Sequence, residues 1–163
     1  MSFTITGLSP QTFARLFNLS DDVLRAQNIL RKTADAKPGY PCRVTLQDAE
    51  PGETVLLLNH ESHDVPTPYA SRYAIYVRAA ASNAATYRDE LPPVFVNRPI
   101  ALRLFNADGM LVGADMGVNA DVKTKIEQAF GREEVAYIHA HNAMHGCFVA
   151  EIRRTDSLNS ASL

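Results

Sequence analysis

The chain has 163 residues, of which 46% are apolar and 21% are charged, with 16 lysines and arginines against 18 aspartates and glutamates. This length fits one domain whose hydrophobic core needs neither a disulfide nor a metal to stabilise it. The slightly negative net charge argues against a general nucleic-acid binder, and the near-average composition argues against a disordered, collagen-like or coiled-coil protein.

The N-terminal segment carries neither the basic nor the apolar stretch of a secretory signal. The longest aliphatic run, at 55–58, is much too short to cross a bilayer. We therefore expect a cytoplasmic protein without membrane contact, in which Cys42 and Cys147 are free thiols. The small, polar stretch over 155–163 predicts a disordered tail after a folded domain over 1–154.

Two short helices are predicted near the start of the chain. Ser9 followed by Pro10 is typical of a helix N-terminus, and apolar side chains follow at helical spacing. A second helix is expected after Ser20, since Asp21 and Asp22 would complement the positive end of its dipole.

Three strands are predicted in the middle of the chain. Apolar and polar residues alternate over 42–46, which is typical of a half-buried strand with Cys42 in the core. The aliphatic run within 54–59 favours a central strand buried on both faces, and β-forming residues over 73–78 favour another strand. The stretch 60–72 between them is interpreted as a long loop.

A first hairpin is predicted from residue 100 to residue 116, with a three-residue loop ending at Gly109. Pairing Leu104 with Val112 places the apolar side chains of both strands on one face, and Gly109 is then left-handed. A helix is predicted after this hairpin, with Asn119 or Asp121 as its N-cap. It ends near residue 130, and its apolar face is formed by Val122, Ile126, Ala129 and Phe130.

A second hairpin joins predicted strands over 135–141 and 147–153. With His141 opposite Cys147, one face of this hairpin is entirely apolar, and the other face carries His139, His141 and Cys147. We therefore expect both imidazoles and the thiol to point away from the core. Together, these elements predict a single α+β domain: a mainly antiparallel sheet of roughly six to eight strands with two or three short flanking helices.

Five short stretches carry a further signal. They are Ile5-Thr6-Gly7-Leu8, Pro41 to Ala49 followed by Pro51-Gly52-Glu53, Pro68-Tyr69 followed by Ile75 to Arg78, Asp108-Gly109-Met110, and His139-Ala140-His141-Asn142-Ala143 with Gly146-Cys147. Together they resemble an uncharacterised bacterial family catalogued only as a domain of unknown function, over about residues 5–154. The resemblance implies a small cytoplasmic bacterial protein, and no activity comes with it.

The paired histidines predict a candidate metal site. Two histidines two residues apart on a strand project to the same side, so His139 and His141 would bind one divalent metal such as zinc. Cys147 or His145 would supply a third ligand. The alternative is that both imidazoles lie on a partly hydrated sheet face and contact only water or Glu151.

A second hypothesis makes Cys147 a catalytic thiol. Directly opposed side chains of a hairpin lie close together, so His141 would act as the base for Cys147. Gly146, directly before the thiol, would let a substrate approach the backbone.

A third hypothesis involves no chemistry: a small molecule or a protein partner binds the polar face, with Asn142 and Gly146 as candidate ligand-binding residues at its rim. Convergence of Arg43, Arg78 or Arg103 near the histidines would indicate a carboxylate or phosphate ligand. The simpler expectation is that Arg103 pairs with Asp115 across its hairpin. The sequence discloses no reaction and no substrate.

Overall fold

The computed structural model describes residues 1–155, so the predicted tail lies outside the described residues except for Thr155. Two α-helices lie in this part, α1 (Asp21–Ala26) and α2 (Ala120–Phe130), together with three short 3-10 turns at Pro10–Thr12, Ala14–Asn18 and Pro93–Phe95. The described strands are β1 (Phe3–Thr6), β2 (Leu30–Thr33), β3 (Thr54–His63), β4 (Ser71–Arg78), β5 (Thr86–Arg88), β6 (Pro99–Phe105), β7 (Leu111–Val118), β8 (Tyr137–Asn142) and β9 (Phe148–Arg154).

The strands form two antiparallel sheets. Six strands pair in the order β5-β1-β9-β8-β6-β7, and three pair in the order β2-β3-β4. A mainly antiparallel architecture with short helices is therefore confirmed, although the strands are divided between two sheets. None of the helices within residues 1–155 combines the length and the apolar character that a membrane crossing requires.

Each sheet has its own hydrophobic core. The larger core lies between the six-stranded sheet and α2, and the predicted apolar face of α2 is buried in it as expected. The smaller core joins the three-stranded sheet to the N-terminal turns through Phe13, Leu24, Leu56, Ile75 and Val77. The second face of the six-stranded sheet, opposite α2, is the face that carries the histidines.

The N-terminal elements are partly as predicted. The helix expected after Ser9 is wrong, because this segment forms only the two 3-10 turns over 10–18. The helix expected after Ser20 is confirmed as α1, and the Ser20 hydroxyl accepts a hydrogen bond from the Val23 N–H at 3.4 Å. The predicted loop over 60–72 is too long, since β3 continues to His63 and β4 begins at Ser71.

The predicted strand over 42–46 is wrong, because this segment is a tight turn. The Leu46 N–H donates to the Cys42 carbonyl at 3.0 Å, and Leu46 has a positive φ of 52°. The segment lies between Gly7 and β4, and its Arg43 N–H donates to the Tyr76 carbonyl of β4 at 3.0 Å. Cys42 is fully buried, as expected, and this path directs the Arg43 side chain inward.

The first hairpin has the predicted loop but a different register. Gly109 is left-handed, with a φ of 79°. The predicted pair of Leu104 and Val112 is wrong, because Val112 lies in a β-bulge and Leu104 pairs with Gly113 instead. Helix α2 packs on the face of this hairpin that carries Gly117. A side chain at Gly117 would lie about 3.0 Å from the first turn of α2, so the glycine leaves the helix the room it needs.

The second hairpin keeps His139 and His141 on the face away from the core, but the predicted pairing is wrong and Phe148 and Val149 lie on the faces opposite to those predicted. The expected pair of His141 and Cys147 is wrong: His141 pairs with Phe148, and a β-bulge at Val149 adds a further residue to β9 before Ala150 pairs with Ala140. Val149 enters the core, and the Phe148 ring meets the His139 ring edge-on at 5.1 Å. Beyond the bulge the register is shifted by two residues, so the histidines still face away from the core.

Candidate functional site

The two predicted histidines lie in a buried layer between the sheets. His139 is 2% exposed and His141 is 3% exposed, so the expectation of a partly hydrated face is wrong. The three-stranded sheet supplies the cover: the His63 ring lies 4.9 Å from the His139 ring, and the Tyr73 ring lies 5.0 Å from the His141 ring. Alternation within one hairpin cannot reveal such a cover, because the covering residues come from elsewhere in the chain.

His139 forms a hydrogen bond with Glu151 on the neighbouring strand β9. Its Nε2 lies 3.4 Å from Oε2 of Glu151, whose other oxygen accepts a hydrogen bond from Arg153. Burial raises the pKa of Glu151, but the hydrogen bonds from His139 and Arg153 outweigh it and bring that pKa to about 2. Burial also lowers the pKa of His139, although Glu151 opposes this effect. Glu151 is therefore a carboxylate at neutral pH.

His141 is a neutral imidazole with one unused nitrogen. Its Nδ1 lies 3.0 Å from the Gly146 carbonyl, which can only accept, so Nδ1 carries the proton. Its Nε2 is buried and has no hydrogen-bond partner among the described residues. Burial, helped by the positive charges of Arg103 and Arg43, lowers the pKa of His141 to about 4. The Nδ1 proton is therefore donated to the Gly146 carbonyl and holds the loop after β8. This nitrogen does not act as a base for Cys147.

Acidification is expected to destabilise the fold between pH 6.5, the ordinary pKa of histidine, and about pH 4. In this window the unfolded chain binds a proton at His141 and the folded chain does not, so falling pH favours unfolding. The full contribution of His141 is about 3 kcal/mol, and the lowered pKa of His139, whose neighbours include His63 and Glu151, acts in the same direction.

Urea unfolding measured across this pH range checks the prediction. The variant His141→Asn retains a donor for the Gly146 carbonyl and should lose less stability on acidification than the wild type. The exposed His145 provides the matched control, His145→Asn, which should behave as the wild type does. A free energy of unfolding that stays constant across this pH window would contradict the buried, neutral state of His141.

A pocket of about 410 Å³ opens beside the buried histidine layer. Its polar wall is formed by Arg43, Arg98, Asn142, His145 and Cys147. The rest of its lining is largely apolar and includes Leu57, Ala74 and Tyr76 of β3 and β4. Two of these side chains are guanidinium groups, and none of the described residues that line the pocket carries a carboxylate. The wall is therefore rich in hydrogen-bond donors and positive charge.

Arg43 is the most buried charged side chain of this wall, at 1% exposed. Its Nη2 donates to the Cys147 sulfur at 3.0 Å, and its Nε donates to the Phe148 carbonyl at 2.8 Å. A third hydrogen bond goes to the Pro41 carbonyl. Burial lowers the pKa of Arg43, and the adjacent Cys147 acts in the opposite direction. No aspartate or glutamate among residues 1–155 forms a hydrogen bond with this buried cation, so its charge lacks a carboxylate partner.

Asn142 contributes a free donor to the same wall. Its side chain is 8% exposed, and its Oδ1 accepts the Met144 N–H at 3.1 Å. This bond fixes the orientation of the amide and leaves its Nδ2 group without a protein acceptor in the described part of the chain. The turn ends at Gly146, which has a φ of 75°, so it serves the turn geometry before Cys147.

Arg98 is held at the pocket by an acidic partner. Its two Nη groups donate to the two oxygens of Asp48 at 2.9 Å and 2.8 Å, and this bidentate pair fixes the guanidinium plane. Hydrogen bonds from Arg98 lower the pKa of Asp48, against the effect of its burial. Sequence reasoning missed Arg98 and the apolar wall, because no local pattern links them to the C-terminal hairpin.

The three arginines singled out in the sequence have different positions. Arg43 and Arg103 converge near His141, whereas Arg78 forms an ion pair with Glu53 at 2.8 Å, away from this layer. The expected pair of Arg103 and Asp115 is wrong. Arg103 donates to the Tyr73 hydroxyl at 2.9 Å, and the bulge in β7 turns Asp115 to the α2 side, where it binds Lys125 at 3.0 Å.

The candidate metal ligands are divided between the two regions. His145 and Cys147 line the pocket, whereas His139 and His141 lie in the buried layer. Within residues 1–155, no three histidine, cysteine, aspartate or glutamate side chains are grouped as a metal site requires. The zinc hypothesis therefore rests on the sequence pattern alone.

Comparison with known proteins agrees with the resemblance seen in the sequence. A family model described as a protein of unknown function, DUF1203, matches residues 39–154, which is well over half of the chain. This span includes the turn that carries Arg43 and the hairpin that carries Asn142 and Cys147. No curated protein and no solved structure matches the chain. The chain belongs to the DUF1203 family, whose function is unknown.

Proposed function

We propose that this protein binds a small organic anion, a carboxylate or a phosphate ester, in the pocket beside Cys147. The observation that carries the proposal is the charge of the polar wall: the buried Arg43 guanidinium has no carboxylate partner in the described residues, and the free amide donor of Asn142 lines the same pocket. A buried cation is costly unless an opposite charge compensates it. A bound anion would supply that charge.

The remaining walls define the rest of the ligand. Leu57, Ala74 and Tyr76 add an apolar surface to the same pocket, which suits a hydrocarbon or aromatic body attached to the anionic group. A pocket of about 410 Å³ fits a ligand of small-metabolite size rather than a macromolecule. Arg98 extends the positive wall, although Asp48 compensates its charge.

Titration with benzoate, followed by amide NMR shifts, tests the proposal. We expect benzoate to bind with a dissociation constant of about 1 mM or tighter, and to shift signals of residues around Asn142 and Cys147. Benzamide, which has the same shape without the charge, should bind at least about tenfold more weakly. Equal shifts with benzoate and benzamide would contradict an anion site.

The variant Asn142→Asp supplies a sharp control. Aspartate keeps the oxygen that accepts the Met144 N–H, but it replaces the free Nδ2 donor by a negative charge. Benzoate binding should therefore be lost while the fold is kept. The exposed Asn83 allows a charge-matched control, Asn83→Asp, in which benzoate binding should be unchanged.

A cytoplasmic location is part of the same proposal. Cys42 and Cys147 are both free thiols, and Cys147 is partly exposed in the pocket. Free, accessible thiols persist in reducing compartments, whereas oxidising compartments favour disulfides.

A further inference from the structure

We propose that Cys147 is a nucleophile that attacks an electrophilic carbon of the anion bound in this pocket. The inference rests on the proposed function, because the anion site brings the reacting carbon to the sulfur. It goes further by assigning chemistry to the site: formation of a covalent bond between Cys147 and the ligand.

The first support is the position of the sulfur. Cys147 is partly exposed on the pocket wall, and its Sγ accepts the Arg43 Nη2–H at 3.0 Å. Because Arg43 has no carboxylate partner, the guanidinium is placed to compensate negative charge on this sulfur. The thiolate is the nucleophilic form of cysteine. Before the Cys147 thiol ionises, the charge of the same guanidinium is uncompensated and draws the anionic ligand into the pocket.

The second support is independent of the sulfur. The side chain of Asn142 is more than nine-tenths buried, lines the pocket and has an Nδ2 group that no protein acceptor in the described residues uses. Its Oδ1 is held by the Met144 N–H, so the amide cannot turn over without breaking that bond. A fixed donor of this kind orients a ligand oxygen, or stabilises negative charge that develops on it.

The other cysteine provides an internal comparison. Cys42 is fully buried in the smaller core, where its sulfur accepts backbone N–H groups of Val44 and Arg78 at 3.4 Å and 3.3 Å. It faces no pocket wall among those described. Reagents that modify the folded protein should therefore reach Cys147 and leave Cys42 unmodified.

The step is a substitution at carbon. The partly exposed Cys147 thiol loses its proton to water, its sulfur donates an electron pair to the carbon, an S–C bond forms, and the bond from that carbon to its leaving group breaks. The leaving group departs with the bonding pair, and no oxidant or metal takes part. The preferred substrate class is a small carboxylate whose electrophilic carbon adjoins the carboxylate, because Arg43 contacts the sulfur and attracts the anion at the same place.

Alkylation with iodoacetate and with iodoacetamide tests this inference directly. In both reagents iodide is the leaving group, and only iodoacetate is charged. We expect iodoacetate to modify Cys147 in the folded protein about tenfold faster than it modifies a synthetic peptide of the same local sequence. The ratio of iodoacetate to iodoacetamide rates should also exceed that of the peptide by about tenfold. Mass spectrometry of digests distinguishes Cys147 from Cys42.

Two variants locate the origin of the selectivity. Arg43→Met removes the guanidinium at similar volume and should return the rate ratio to that of the peptide. If this variant does not fold, Asn142→Asp carries the test, since its added charge should repel iodoacetate and spare iodoacetamide. A folded-protein rate no higher than the peptide rate, or a rate ratio equal to that of the peptide, overturns the inference.

Benzoate protection separates the two proposals. If benzoate binds but Cys147 reacts no faster than the peptide, the anion site stands and the nucleophile is rejected. If Cys147 reacts fast and selectively but benzoate neither binds nor slows the reaction, the nucleophile stands and the benzoate-type site is rejected. Both proposals are supported when benzoate binds and slows iodoacetate at matching concentrations.

Discussion

Replacing Arg43 with alanine is expected to lower the free energy of unfolding by about 4 kcal/mol. The side chain is almost fully buried and binds the nearby Pro41 carbonyl together with two groups that are distant in sequence, the Phe148 carbonyl and the Cys147 sulfur. Truncation leaves a cavity and removes the donors of two buried carbonyls. Both effects destabilise the folded state and leave the unfolded state unchanged.

Arg43→Met separates the packing effect from the electrostatic effect. Methionine fills most of the volume and removes a buried charge, which itself costs free energy to bury. We therefore expect a loss of only about 2 kcal/mol, although benzoate binding should be lost in this variant as in Arg43→Ala. Urea unfolding at neutral pH measures the loss of stability in both variants. Equal stability of wild type and Arg43→Ala would show that the three hydrogen bonds do not stabilise the fold.

Gly7→Ala is expected to destabilise the protein by about 3 kcal/mol or more. A Cβ atom at Gly7 would lie 2.0 Å from the Val44 carbonyl oxygen, well inside contact distance. The obstacle is backbone, and it cannot move freely, because the same carbonyl accepts the Ala85 N–H at 2.9 Å and the Leu8 N–H donates to the Arg43 carbonyl at 2.7 Å. The added methyl group must therefore separate the N-terminal strand from the turn that carries Arg43.

Gly39→Ala is the matched control for this change. A Cβ atom there would find its nearest neighbour, the Ala36 carbonyl oxygen, at 3.5 Å, an ordinary van der Waals contact. Its free energy of unfolding should lie within about 0.5 kcal/mol of the wild-type value. If thermal and urea unfolding give the same result for both alanine variants, the close approach at Gly7 is not a constraint on the fold.

Local patterns predicted the elements of this fold better than their pairing. The apolar face of α2 was predicted residue by residue, because a single helix packed on a sheet shows its burial in its own periodicity. The two hairpins were predicted as hairpins, but both contain a β-bulge, at Val112 and at Val149. A bulge adds one unpaired residue to one strand, and the alternation of apolar and polar residues within the strands does not reveal where that residue lies.

The site illustrates the same limit. Of the residues in the histidine pattern, Asn142, His145 and Cys147 line a pocket, whereas His139 and His141 lie in the buried layer beside it. Arg43 was considered only as one of three arginines, since the turn that directs it inward was mistaken for a strand. Its position depends on backbone contacts with Gly7 and Tyr76, which lie far from it in the chain. Sequence reasoning therefore found the thiol but not the cation beside it.

The strand order also determines when the six-stranded sheet can be completed during synthesis. Strand β1 is made first, yet it pairs with β9, whose last residue Arg154 lies opposite Phe3. Because β9 connects β1 and β5 to β8, the six-stranded sheet stays in two parts until residues 148–154 have left the ribosome. The contact of Arg43 with Cys147 spans 104 residues and must wait equally long. A nascent chain that lacks β9 therefore has no complete pocket, and a ligand can bind only after β9 has been made.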